Sequence, residues 1–147
     1  MKNYVLCTTL EEDSLETLKK LKNDISLADV RLHLITVIEK QIYTVEMAPY
    51  IYPVESQYPA MESSALDLLR TLGSDLGVNP DNIIYKCFIE YDREKTVRDY
   101  LKAVNADLVV VATRGKHGLE GFFSSSFTDY LCKFSPCDVL VMRPGKY

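Results

Sequence analysis

The sequence lacks the long apolar runs and the excess of positive charge that indicate a membrane or a nucleic acid as partner. No run approaches the ~18–20 apolar residues that a membrane-spanning helix requires. The opening MKNYVLCTT is followed at once by acidic residues, unlike a secretory signal. The net charge is −4, which argues against binding nucleic acid by neutralising phosphates. We therefore expect a cytoplasmic protein that binds neither a membrane nor a nucleic acid.

Histidine and closely paired cysteines are also scarce. The chain has two histidines, His33 and His117, and four cysteines that form no CxxC pair, so the spacing of a zinc site is missing. Reduced, buried thiols fit a cytoplasmic chain better. We interpret His33 as a structural residue of a strand and His117 as a solvated loop residue. Neither the two histidines nor the four cysteines predict a metal site or a catalytic residue.

What the chain does contain is a series of short apolar runs without polar alternation. Such runs are typical of strands that are buried on both faces of a parallel sheet. At 147 residues, the chain is expected to form a single domain, residues 1–147. The predicted strands are Tyr4–Cys7, Leu32–Ile38, Ile83–Ile89, Asp107–Ala112 and Asp138–Met142.

Helical stripes separate these strands. They involve Leu15 to Ile25, Met61 to Leu76, Val97 to Val104 and Phe127 to Phe134. Capping signals are expected at Asp13, at Asp92 and at Ser126, while Gly73 is expected to loosen the second helix and Gly77 to end it. The strict alternation predicts an α/β fold, an open five-stranded and mostly parallel sheet with helices on both faces.

Ligands of such sheets bind beyond the carboxyl ends of the strands, which here selects Thr8–Asp13 and Ala112–Ser126. The second segment lies within the stretch ATRGKHGLEGFFSSSF, Ala112–Phe127, which places glycines at Gly115, Gly118 and Gly121. Glycines let backbone N–H groups surround an anion, and a following helix adds its positive dipole end. By spacing alone the segment fits either a phosphate cradle or a surface turn before a capped helix. It matches neither the dinucleotide fingerprint nor a P-loop.

The connection Glu39–Ala60 has no sustained periodicity and contains three prolines and four tyrosines. Irregular connections of this length are uncommon in compact domains. We consider two interpretations: a tyrosine-bearing lid or partner surface, and a loop that is packed by its own aromatic residues.

The segment ADLVVVATRGKHGLEGFFSSSFTDYLCKFSPCDVLVMRP, Ala106–Pro144, resembles the C-terminal signature of the universal stress protein family. VLCTTLEEDSLETLKKL resembles that family's first strand, loop and helix, and RLHLITVIE its second strand. The resemblance implies an adenine nucleotide alpha-hydrolase-like sheet with strand order 3-2-1-4-5. It covers essentially the whole chain and is most specific in the last forty residues.

The family's ATP-binding members carry the motif G-x2-G-x9-G-[S/T], whose positions fall on Ala112, Gly115, Ser125 and Ser126. The spacing is intact, but Ser125 replaces a glycine at a point where backbone meets phosphate. The resemblance implies a nucleotide site with contributions from Thr8, Thr9, Val37, Val111, Ala112, Arg114, Gly115, Gly118, Ser125, Ser126 and Phe127.

The sequence differs from the family's ATP-binding members at two further positions, one expected near the adenine base and one near the ribose. Thr9 stands where ATP-binding members place the aspartate that accepts from the adenine amino group, whereas Val37 keeps the valine that packs on adenine. Tyr91 stands where a glycine is frequent, and its ring either covers the ribose side of the cleft or stacks on a ligand. The resemblance implies ATP, accompanied by Mg²⁺, as the cofactor. Because of the differences at these positions, we expect the nucleotide site to be degenerate.

The last strand is long, apolar and at an edge, and the resemblance implies that it pairs with its copy in a homodimer through Val139, Leu140, Val141 and Met142. We therefore expect a homodimeric binding or regulatory module of the stress response with a degenerate adenine-nucleotide site. One alternative is a functional ATP-binding stress protein that uses loop 112–126, and another is a non-nucleotide scaffold that works through the tyrosine-rich segment 39–60. The residues provide no basis for predicting an enzyme.

Overall fold

The computed structural model describes residues 1–45, 48–52, 55–113 and 125–145. Its strands are β1 (Lys2–Cys7), β2 (Val30–Glu39), β3 (Gln41–Val45), β4 (Ala48–Tyr52), β5 (Ile83–Glu90), β6 (Leu108–Ala112) and β7 (Asp138–Met142). Its α-helices are α1 (Glu12–Lys19), α2 (Leu21–Asp24), α3 (Tyr58–Leu76), α4 (Arg93–Ala103) and α5 (Ser125–Phe134). Single 3₁₀ turns cover Glu55–Gln57 and Pro80–Asn82.

The main sheet has the order β5-β2-β1-β6-β7, and each neighbouring pair is parallel. Numbered along the chain without the hairpin strands, this is the order 3-2-1-4-5. The predicted fold is therefore confirmed. The sequence placed each of the five sheet strands within two residues of its observed bounds.

Alternate residues of the central strands serve two separate cores. In β1, Leu6 packs on the face covered by α1, α2 and α3, whereas Val5 and Cys7 pack on the face covered by α4 and α5. All three residues are almost completely buried. Because both faces of such a strand must be apolar, the sequence shows a continuous apolar run instead of an alternating one.

The helix starts agree only in part with the capping signals. Asp92 caps α4 as predicted, since its Oδ1 accepts from the backbone N–H of Lys95 at 3.0 Å. The capping box at Asp13 is wrong, because α1 begins at Glu12 and leaves Asp13 inside the first turn. There its carboxylate lies close to the positive end of the helix dipole. Ser126 likewise lies one residue inside α5, which begins at Ser125.

Helix α3 runs without interruption past Gly73, the residue that was expected to loosen it. A methyl group on Gly73 would collide with the Tyr85 side chain of β5. The glycine therefore allows the helix to pack closely on the sheet. At the end of the helix, Gly77 adopts a left-handed conformation with φ 70°, which is the stop predicted from the sequence.

Of the helices in the described ranges, none has both the length and the apolar character that crossing a membrane requires.

The segment Glu39–Ala60 is more regular than the sequence suggested. Strands β3 and β4 pair in antiparallel fashion and form a two-stranded sheet of their own, with Gln41 opposite Tyr52. A proline at position 49 is compatible with β4 because each strand of a two-stranded sheet is an edge. Pro59, at the second residue of α3, suits a helix start. The expectation of an irregular connection is thus wrong for most of this segment.

His33 has the structural role that the sequence predicted. It is buried in β2, where Nδ1 lies 2.8 Å from the Tyr100 hydroxyl and Nε2 lies 3.2 Å from Oδ1 of Asn3. Because an amide oxygen only accepts, Nε2 donates to Asn3, and Nδ1 accepts from Tyr100. A second proton on the ring would remove that acceptor. Burial lowers the pKa of His33 below its ordinary value of 6.5, and the neighbouring Arg31 charge acts in the same direction.

We predict that this imidazole makes stability depend on pH below neutrality. The lowered pKa means that the unfolded chain takes up a proton at a pH where the folded chain does not. The free energy of unfolding should therefore fall as the pH drops through about 6.5, by at most about 1.4 kcal/mol per pH unit from this group. Urea unfolding at several pH values should show a shallower slope for His33→Gln than for wild type. His117→Gln, at the chain's other histidine, is the matched control. Equal slopes for wild type and His33→Gln would contradict the assignment.

Candidate functional site

A cavity of about 110 Å³ opens at the carboxyl ends of β1 and β2, bordered by α4 and α5. This is the edge of a parallel sheet at which ligands bind. The lining residues combine apolar side chains with a few hydroxyl and charged groups. They are Cys7, Thr8, Thr9, Glu11, Ile35, Thr36, Val37, Arg93, Val97 and Phe127.

Two hydrogen bonds join the ends of β1 and β2 at the floor of the cavity. The backbone N–H of Thr8 donates to the carbonyl of Ile35 at 3.1 Å. The buried Thr36 hydroxyl donates back to the carbonyl of Thr8 at 2.8 Å. The chain therefore leaves the sheet at a fixed point, directly before the turn that leads into α1.

The Thr8 side chain holds that turn together. Its hydroxyl lies 2.9 Å from the Ser14 hydroxyl and accepts from the backbone N–H of Leu10 at 3.0 Å. Leu10 has a positive φ of 68°, which is unusual for a residue with a side chain. The hydroxyl of Thr8 is thus committed to local structure, although the residue borders the cavity.

Thr9 is the neighbouring hydroxyl and is oriented differently. Its Oγ1 accepts from the backbone N–H of Glu11 at 3.4 Å, and its O–H proton remains available as a donor. Thr9 is half-buried at the cavity wall. This position therefore offers a hydrogen-bond donor, where a carboxylate would offer an acceptor alone.

Arg93 brings a positive charge to the cavity that the sequence reasoning did not anticipate. It is the first residue of α4, and its side chain is only 17% exposed. Nη2 lies 3.1 Å from Oε1 of Glu39, at the end of β2. The guanidinium carbon lies 5.8 Å from the centre of the Phe127 ring, a cation–π distance. The sequence signal was its position at the carboxyl end of a strand, one residue after the helix cap.

Cys7 is the remaining potentially reactive group on the wall. Burial raises the pKa of its thiol, with a smaller contribution in the same direction from Cys137. The thiol therefore stays protonated near neutral pH and is a poor nucleophile. In the part of the chain that the structure describes, no three His, Cys, Asp or Glu side chains cluster as metal ligands would.

The residues predicted for the site are distributed as follows. Thr8, Thr9, Val37 and Phe127 line the cavity. Val111 and Ala112 are buried in β6, in the two cores on opposite faces of the sheet. Ser125 and Ser126 are the first two residues of α5. Arg114, Gly115, His117 and Gly118 lie outside the described residues.

Tyr91 lies beside the cavity, not in its wall. It is 48% exposed and lines a neighbouring groove together with Phe88 and Tyr100. The ammonium group of Lys40 lies 5.2 Å from the centre of the Tyr91 ring and 5.6 Å from that of Tyr58. Tyr91 therefore takes part in a cation–aromatic cluster at the end of the sheet, where β2 and β5 finish.

Comparisons with known proteins agree with this fold. The sequence model of the universal stress protein family matches residues 1–143. A universal stress protein of Methanocaldococcus jannaschii is 25% identical, over 99% of this chain and 84% of the relative.

Among solved structures, a universal stress protein in complex with cAMP superposes with a TM-score of 0.62 at 17% identity, covering 98% of each chain. A universal stress protein family member from Arabidopsis thaliana with AMP bound gives a TM-score of 0.60 at 13% identity, covering 99% of this chain and 93% of the other. At this level of identity the structural similarity shows the fold.

We predict that the Thr36 hydroxyl stabilises the floor of the cavity. Thr36→Val keeps the shape of the side chain but leaves the buried Thr8 carbonyl without this donor, which should lower the free energy of unfolding by about 1–2 kcal/mol. Thr71→Val is a matched control, because the Thr71 hydroxyl donates to the carbonyl of Asp67 on the exposed face of α3. Urea unfolding of both variants measures the difference. If the two variants lose the same free energy of unfolding, the hydrogen bond at the cavity floor does not contribute more than the exposed one, and the prediction is wrong.

Proposed function

The chain belongs to the universal stress protein family, and on that premise we propose that it acts in the cytoplasm as a homodimeric binding or regulatory module of the stress response. Its ligand would be an adenine nucleotide, held at a site that has degenerated or become specialised. The observation that carries this proposal is the cavity itself. Thr9, Val37 and Phe127, three positions that the family resemblance implicates in nucleotide binding, lie around one opening at the carboxyl edge of the sheet.

The chemistry of the cavity suits a purine base. Apolar groups such as Ile35, Val37 and Val97 line it together with a few hydroxyl and charged groups. Proteins of this fold have been solved with cAMP and with AMP bound, which supports an adenine nucleotide as the class of ligand to test. In this proposal the phosphates would extend toward Gly115, Gly118, Ser125 and Ser126, with Mg²⁺ accompanying ATP.

We expect affinity to be weak for two physical reasons. Thr9 provides no carboxylate for the adenine amino group, and Ser125 adds a side chain where the family motif has glycine. Each lost polar contact costs ~1–3 kcal/mol, so two losses weaken binding by a factor of ~10² or more. A site of this kind would respond only to nucleotide at high concentration.

A second candidate function rests on the hairpin. Strands β3 and β4 pair with each other and with no strand of the main sheet among the described residues. Within the described residues, each strand of this small tyrosine-rich sheet thus has one edge that is paired with no other strand. A scaffold that captures a protein through residues 39–60, without any nucleotide, is the alternative that this arrangement favours.

We predict that ATP, ADP or AMP at millimolar concentration raises the melting temperature of the wild-type protein, because a ligand that binds only the folded state stabilises it. Gly115→Asp should abolish the shift, since an added carboxylate would repel phosphate. Ser63→Asp adds the same charge on the exposed face of α3 and should leave the shift intact. If wild type shows no shift with any of the three nucleotides, the nucleotide site is contradicted and the hairpin scaffold is favoured.

The proposed dimer rests on the position of β7. This strand forms one edge of the main sheet, and Val139, Leu140 and Val141 are only half-buried there, next to the buried Met142. Apolar edge strands of soluble proteins are usually covered. Antiparallel pairing of two β7 strands about a twofold axis would cover both copies at once.

We predict that Val141→Lys yields monomers in sedimentation velocity, because the twofold axis would bring two buried ammonium groups close together. Ile84→Lys, at a half-buried position of β5 on the opposite edge of the sheet, is the matched control and should sediment as wild type does. If Val141→Lys remains a dimer, β7 is not the interface.

A further inference from the structure

Strand β5 forms the edge of the main sheet that lies opposite to β7. Within the described residues it pairs with β2 on one side and with no strand on the other. An edge strand presents a row of backbone N–H and C=O groups that point away from the sheet and can pair with another chain. The homodimer proposed above joins two β7 strands and does not involve the edge at Ile83–Glu90.

A groove of about 560 Å³ lies between β5 and α4. The residues of α4 that line it recur every three or four positions, from the cap residue Asp92 to Ala103, the last residue of the helix. At 1.5 Å per helical residue these positions span about 16 Å, the length of about five residues of extended chain. The shape of the groove therefore suits an extended segment.

The lining of this groove combines aromatic side chains with an excess of carboxylates. Phe88 of β5 and Tyr100 of α4 pack edge to face, with ring centres 5.3 Å apart. Tyr91 already has the ammonium group of Lys40 at 5.2 Å from its ring centre, so an aromatic ring of the groove accepts a cation in the free protein. The charged lining residues are Glu90, Asp92 and Asp99, with Lys95 as the one cation among them.

Two of the three carboxylates keep oxygen atoms for a partner. Asp99 is engaged, because Nζ of Lys95 lies 2.6 Å from its Oδ2. The Glu90 side chain makes no hydrogen bond or ion pair with any residue that the structure describes, and Asp92 uses only Oδ1, for the cap of α4. Both side chains are exposed at the end of β5, so this end of the groove is complementary to a positive charge. Lys86, the exposed cation earlier in β5, does not line the groove.

We propose that the groove between β5 and α4 docks an extended basic segment of a protein partner, which adds a strand to the edge of β5. Successive side chains of an added strand point to opposite faces of the sheet. On the α4 face, a lysine or arginine of the segment reaches the carboxylates of Glu90 and Asp92. On the α3 face the segment meets apolar side chains, since Tyr85 packs against the core on that side. Main-chain pairing supplies the affinity and the basic side chains supply the specificity. The proposal does not depend on nucleotide binding.

The first test uses the unmodified protein and short synthetic peptides in which valine alternates with lysine or with glutamate. Fluorescence anisotropy should show that the lysine peptide binds and that the glutamate peptide does not. N-methylation of every peptide bond removes the donors for strand pairing and keeps every charge, so it should weaken binding of the lysine peptide about tenfold or more. Spermidine, a flexible polyamine without a peptide backbone, should compete poorly for the same reason.

The second test removes the two available carboxylates. Glu90→Gln combined with Asp92→Asn changes neither side chain in size, and asparagine caps a helix as well as aspartate does. If each carboxylate contributes what an exposed ion pair does, this double variant should bind the lysine peptide about fivefold more weakly than wild type. Glu16→Gln combined with Asp24→Asn changes the net charge equally at exposed positions of α1 and α2 and should bind as wild type does. Circular dichroism would establish that both double variants fold.

Each result decides for or against the docking of a basic strand. The proposal is overturned if the lysine peptide does not bind the wild-type protein, or if the two folded double variants bind it equally well. If spermidine or the N-methylated peptide binds as tightly as the unmodified peptide, the groove recognises cations without pairing to a strand, and the proposal is equally overturned.

Discussion

The hydrogen bond from the Thr36 hydroxyl to the carbonyl of Thr8 fixes the point at which β1 leaves the sheet, and much of the site depends on that point. Within the next three residues the chain turns through Leu10 at positive φ and enters α1. Thr8 supports the turn with its own hydroxyl, which leaves Thr9 facing the cavity. A displaced strand end would therefore move both the turn and the first polar group of the wall.

The fold could be predicted from the sequence because the dominant signal is local. A strand that is buried on both faces must be apolar at every position, and the alternation of such runs with helical stripes leaves few topologies. The hairpin could not be predicted in the same way. β3 and β4 have five residues each, too few to establish a periodicity, and Pro49 in β4 resembled a loop signal.

The site was predictable where a residue lies at a strand end or where the family resemblance implicates it. Thr8, Thr9 and Val37 lie at the ends of predicted strands and are also implied by the resemblance, whereas Phe127, in α5, was predicted from the resemblance alone. Arg93 belongs to the wall because its side chain contacts Glu39 and Phe127, which lie 54 and 34 positions away in sequence. A contact of this kind is set by the packing of α4 against the sheet, and the sequence shows only that Arg93 follows a strand end, not which residues it contacts.

The pairing of Arg93 with Glu39 also bears on whether the site has decayed or changed. A guanidinium buried without a partner would be costly, and so would a lone carboxylate. Here the pair joins the end of β2 to the start of α4, with Phe127 packed on the cation. Decay of a binding site predicts loss of polar groups and collapse of the space between them. The wall instead keeps an opening of about 110 Å³ with hydroxyl and charged side chains around it, so neither sign of decay is present among the residues that line the cavity.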